Sequence, residues 1–121
     1  MKLKRYLVVF DAADLEAESS FWAALLDGTV EKPADDWHRV LVGGEYRLAV
    51  QHAPDHVPPD WPDGSPQQIH LDLHVEELGP AHDKVMALGA ELLQPADDLS
   101  AEEGWQVYAD PAGHPFCLCW G

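Results

Sequence analysis

The chain has 121 residues, the size of one domain, and its 22 acidic against 7 basic side chains leave a formal net charge of −15. That balance excludes a nucleic-acid partner, whose phosphates require clustered Lys and Arg, and reads as a solvated acidic surface. No apolar run approaches the roughly 18 residues of a membrane span, and, with no apolar core behind the N-terminal lysines, no signal peptide is expected.

In chain order, Tyr6 to Phe10 (YLVVF) reads as a buried strand, rich in β-branched and aromatic residues. Asp14 is placed to cap a helix whose stripe is Leu15, Trp22, Leu25 and Leu26, with Glu16, Glu18 and Ser19 mostly off it. Asp27-Gly28 closes that helix, with Gly as the left-handed cap. Trp37–Val42 and Glu45–His52 are strands joined at Gly43-Gly44, a tight hairpin signal. Residues 54–66 hold five prolines and are expected to form a semi-rigid linker. Trp61 within it either packs back on the body or covers a site.

The segment Gln67 to Val75, QQIHLDLHV, alternates strictly. Ile69, Leu71, Leu73 and Val75 fall on one face and His70, Asp72 and His74 on the other. Two imidazoles flanking a carboxylate on a half-buried strand need partners, a ligand or water, so this face is expected to wall a cavity. A second helix follows, with Pro80 in its first turn, an apolar stripe of Ala81, Val85 and Leu88, and a stop at Gly89. Ala90–Leu93 is a short strand and Asp97–Gly104 an acidic loop. Trp105–Tyr108 and Phe116–Trp120 are strands around the turn Asp110 to Pro115, in which His114 is expected to be solvated. Cys117 and Cys119 stand two apart in that last strand, where their Cα atoms are too far apart for a relaxed disulfide. Reduced thiols point to a cytoplasmic protein.

The order is β-α-β-β-β written twice, and the halves superimpose with an offset of 63: Leu7 falls on His70, Leu15 on Leu78, Trp22 on Val85. A repeat near half the chain length indicates internal duplication, with one module at residues 1–53, a linker at 54–66 and a second module at 67–121 in a single 1–121 domain.

Four stretches together carry a family resemblance: SFWAALLDG at 20–28, HLDLHVEEL at 70–78, ALGA at 87–90 and DPAGHPF at 110–116. With these in this order the chain resembles the vicinal-oxygen-chelate superfamily of glyoxalases, bleomycin-resistance proteins and extradiol dioxygenases, in its compact glyoxalase-like branch. The resemblance implies an α+β fold of two βαβββ modules in a pseudo-twofold pair, with a curled mixed sheet around a cup and helices outside. It implies a small-molecule ligand and a homodimer, and in metal-dependent relatives a divalent ion held from four strand positions.

Carried over residue by residue, those positions are Leu7, which cannot ligate, Gln51 (or His52), His70, and Cys117 where relatives usually have Glu. His70, Gln51 and Cys117 therefore form a reduced set for zinc, nickel, manganese or iron, or the cup holds no metal. His70, Asp72 and His74 are the catalytic candidates, an imidazole oriented by a carboxylate being the usual proton carrier. Trp37 and Trp105 occupy comparable places in the two modules and, with Gln51 and Cys119, are the ligand-binding candidates. The expectation is a lyase or isomerase of glyoxalase type using His70. The alternative is a non-catalytic, metal-free protein sequestering an aromatic small molecule or antibiotic.

Overall fold

The computed structural model describes all 121 residues, Met1–Gly121, which divide into two compact units, Met1–His56 and Val57–Gly121. The first unit contains β1 (Val8–Ala12), α1 (Leu15–Leu25), β2 (Thr29–Ala34), β3 (Trp37–Val42) and β4 (Glu45–His52). The second contains β5 (Leu71–His74), α2 (Leu78–Ala87), β6 (Glu91–Gln94), β7 (Gly104–Ala109) and β8 (Pro115–Trp120). Each is a four-stranded mixed sheet with one helix. The orders are β1-β4-β3-β2 and β5-β8-β7-β6, in which the first and last strands of each module pair in parallel and the rest antiparallel.

The 63-residue offset holds to the residue over the first strand and the helix of each module. The strands β1 and β5 begin at Val8 and Leu71, and the helices begin at Leu15 and Leu78. Trp22 and Val85 are both fully buried. The last strands correspond through their pairing: Val8 opposes Leu48 and Leu71 opposes Phe116.

In the first unit, alternation in β3 and β4 turns His38, Val40, Leu48 and Val50 to the buried face. Phe10, Phe21 and Trp22 complete this core, the Trp22 ring lying 5.2 Å from Phe10 and 5.4 Å from Phe21, edge-on. Asp14 caps α1, its Oδ1 accepting from the Ala17 N–H at 3.0 Å. Gly43 and Gly44 have φ of 59° and 77°, the left-handed pair that a two-residue hairpin demands. In the second unit Tyr108 and Phe116 stack at 5.5 Å beside Val85 and Leu118.

Several expectations are corrected. The first strand runs Val8–Ala12 rather than Tyr6–Phe10, and Tyr6 is 85% exposed. Glu18 and Ser19 are fully buried, because positions 15, 18, 19 and 22 share one helical stripe. At the end of α1 the left-handed residue is Asp27 (φ 55°), not Gly28. Gly28 is required for space: a Cβ there would collide with the Leu41 carbonyl oxygen. Ile69 lies before β5 and is 66% exposed, so it belongs to no core face. His114 is half-buried rather than solvated, its N–H donating to Asp110 Oδ1 at 2.8 Å inside the turn. The strand β2 (TVEKPA) carries too little apolar alternation to stand out, and tolerates Pro33 because it is a sheet edge with an irregular register. No helix is long and apolar enough to cross a membrane.

Candidate functional site

The parallel pairing of β5 with β8 sets Asp72 opposite Cys117 and His74 opposite Cys119. The antiparallel pairing of β7 with β8 sets Trp105 opposite Cys119. Side chains opposite one another share a face, so one face of this sheet carries Asp72, His74, Cys117, Cys119 and Trp105, with His70 immediately before β5. Leu71, Leu73, Phe116 and Leu118 take the other face, towards α2. The polar face walls an open pocket of about 600 Å³ bounded by these six residues and, at its rim, by Glu103, Gly104 and Trp120.

Within it His70 Nε2 lies 3.2 Å from Asp72 Oδ1, with the two side chains 40% and 49% exposed. This orients one ring nitrogen and leaves the other free to meet a ligand. Two overlapping donor groups result, His70–Asp72–Cys117 and Asp72–His74–Cys119, the ligating atoms of each lying within 4.8 Å of one another. Both cysteines are free thiols. Burial, the Asp72 charge and its hydrogen bond, and the neighbouring Cys119 push the Cys117 thiol up to about 12. Burial, and then the Asp72 charge, raise Cys119 as well. At neutral pH Cys117 is therefore a protonated thiol, a donor or a latent ligand rather than a nucleophile.

Trp105 is 59% exposed and is not a core residue; its indole offers a broad apolar wall. Trp120, at the end of β8, is a second wall. Its Nε1 donates to the Ala101 carbonyl at 3.0 Å, and its ring lies over Gly104, where a Cβ would come within 2.6 Å of it. The Gly directly before Trp105 was the available sign of that close approach. Trp37 and Gln51 lie in the first unit, opposite each other across β3 and β4. Their pairing repeats that of Trp105 with Cys119, so the residue equivalent to Gln51 by register is Cys119, and that equivalent to Cys117 is Ala49. Trp37 is half-buried and donates its indole N–H to Tyr46 Oη at 3.0 Å.

A family model described as a glyoxalase-like domain matches residues 7–119. The chain belongs to this family. No curated protein matches the sequence. Among solved structures, this glyoxalase-like domain is similar to the fosfomycin resistance protein FosX from Mesorhizobium loti, at 17% identity over 100% of this chain and 94% of that one, TM-score 0.71. It is similar to a glyoxalase-related enzyme from Fulvimarina pelagi, at 20% identity over 98% and 89%, TM-score 0.70. A FosX from Listeria monocytogenes aligns at 14% identity over 100% and 93%, TM-score 0.74. These likenesses show the vicinal-oxygen-chelate fold.

The donor chemistry of the glyoxalase-like domain fits a borderline divalent ion. One imidazole nitrogen, one carboxylate oxygen and one sulfur match zinc ligand types, and three protein ligands leave an open position. His70, Asp72 and Cys117 would hold such an ion, with His74 and Cys119 at the adjoining group. Bound there, it would polarise a substrate oxygen as a Lewis acid. Cys117 would have to release its proton to ligate, so binding would strengthen as pH rises.

Proposed function

We propose that the polar face of the second unit is the active surface of a small-molecule enzyme of glyoxalase-like lyase or isomerase type. The observation that carries this reading is the His70–Asp72 contact of 3.2 Å on a pocket wall that also carries two thiols and two indoles. Asp72 accepts from the imidazole and holds its tautomer, so that the remaining ring nitrogen of His70 takes or delivers a proton at the substrate. His74, two residues along the same strand, extends the proton path. Trp105 and Trp120 supply flat apolar area to orient the substrate and exclude water from part of it. Cys117, held protonated, donates a hydrogen bond rather than attacking.

The test is metal analysis of protein purified without chelators, followed by thermal shift with zinc, nickel, manganese and iron. Stoichiometric metal and a raised melting temperature, both lost in His70→Ala, support the reading. A second reading, a metal-free binder of planar molecules, is favoured by the 59% exposure of Trp105 and by Leu7 at the first-strand ligand position. Indole fluorescence quenched by planar aromatics, with quenching lost in Trp105→Ala but unchanged in His70→Ala and no thermal shift with any of the four ions, selects that reading and rejects the first.

A further inference from the structure

The first unit has a concavity of about 740 Å³ of its own, between the outer ends of β3 and β4 and the segment preceding β1. Its charge is opposite to that of the chain. Four of the seven basic residues, Lys4, Arg5, Arg39 and Arg47, line it, against only Glu31 and Glu45, in a protein of net charge −15. Such segregation concentrates positive potential where the surrounding surface is negative.

The cations are only loosely paired: two rest on an aromatic ring, and two approach carboxylates without hydrogen-bonding them. Arg5 and Arg39 each place a guanidinium carbon over the Tyr46 ring, at 5.1 and 5.2 Å from its centroid. Tyr46 is itself fixed by the hydrogen bond from Trp37 Nε1 to its hydroxyl. Arg39 approaches Glu31 only to 3.8 Å and Arg47 approaches Glu45 only to 3.6 Å, both beyond hydrogen-bond reach. Arg39 Nε is shielded from solvent with no acceptor, although 43% of its side chain is exposed. A planar guanidinium fork with unspent donors matches the two oxygens of a carboxylate or phosphate. Leu3, Tyr6 and Leu41 add apolar surface beside it.

We propose that this concavity is a binding site for small organic oxyanions, with the carboxylate or phosphate group on Arg39 and its neighbours and the apolar body along Leu41 and Leu3. It is independent of the site in the second unit, and its failure would leave that reading untouched.

The experiment titrates the full chain with benzoate, phenyl phosphate and inorganic phosphate, following the Trp37 indole N–H signal by NMR, assigned through Trp37→Phe. Saturable shifts that weaken as sodium chloride rises from about 20 to about 200 mM are expected, with affinity falling about tenfold or more in Arg39→Gln. Glu31→Gln, which removes the competing carboxylate, is expected to tighten binding several-fold. Benzoate and phenyl phosphate together identify an oxyanion site, and a preference for one of them names the head group. The proposal is overturned if no probe saturates, if a folded Arg39→Gln binds as well as the parent, or if inorganic phosphate binds as tightly as phenyl phosphate.

Discussion

Asp72 and Cys117 face each other across the parallel β5–β8 pair, and the carboxylate is one of the reasons the thiol is pushed up to about 12. Burial is the larger cause and the Asp72 charge the next. Removing that charge without changing the side-chain shape lowers the thiol towards its ordinary range. Asp72→Asn is therefore expected to react faster than the parent with a thiol reagent at about pH 8.5, Cys117 being distinguished from Cys119 by mass spectrometry. Equal rates would remove Asp72 from the account of this thiol.

The same shift makes stability depend on pH. Cys117 stands at about 12 in the folded chain against an ordinary 9.0, so the unfolded chain loses this proton first. Its contribution is complete below about pH 9 and is lost as pH rises towards 12. Tyr108, raised by burial from 10.0, adds to the fall at the upper end. The urea midpoint is expected to drop between about pH 8 and about pH 10.5, and to drop less in Cys117→Ala. An unchanged slope in that variant would assign the effect elsewhere.

Tyr108 joins two elements on the buried side of the second sheet. Its hydroxyl lies 2.8 Å from His82 Nδ1 on α2 and accepts from Gln106 Nε2 at 2.8 Å, while Gln106 Oε1 accepts from the Ala96 N–H at 3.0 Å. Gln106 is 4% exposed, so Tyr108→Phe strands its amide in the interior. The expected loss is about 1–3 kcal/mol in chemical denaturation. A neutral result would mean that the freed groups find water.

Gly104→Ala tests the pocket wall. Its Cβ would come within 2.6 Å of the Trp120 ring, and one of the two must move. Overpacking of this kind costs about 1–3 kcal/mol. The expected signature is a changed Trp120 emission together with weaker binding of any planar ligand. An unaltered spectrum would show that the indole is not held against Gly104.

What the sequence reveals and what it hides divide along a physical line. Period-two and period-3.6 patterns reach the surface of the sequence because they are local, so the helices, the hairpin at Gly43-Gly44 and the 63-residue repeat are legible. The HLDLH alternation also places three polar groups on one wall, because strand geometry leaves little freedom. Partnerships between distant residues are not legible. Ser19 and His38, 2.8 Å apart between Oγ and Nδ1, are both buried, and neither reads as a core residue alone. The gathering of Arg5 and Arg39 on Tyr46 likewise depends on strand pairing that composition does not disclose. Ile69 misleads for the opposite reason: its alternation is regular, but the ladder starts two residues later, at Leu71.

In both sheets the strand synthesised last in its module lies between the first and the third, so β4 and β8 are the keystones of their arches. Val8 must wait for Leu48 and Leu71 for Phe116, some 40 and 45 positions downstream. On a ribosome, β1 and β5 therefore emerge as unpaired edges with no neighbour yet made. Fraying of β8 alone would unzip β5 from β7 and dissolve the wall that holds His70, Asp72 and both thiols. The pocket wall of the second unit thus depends on six residues, Pro115–Trp120, and anything that clips or competes for that ribbon dismantles it before the rest of the chain is touched.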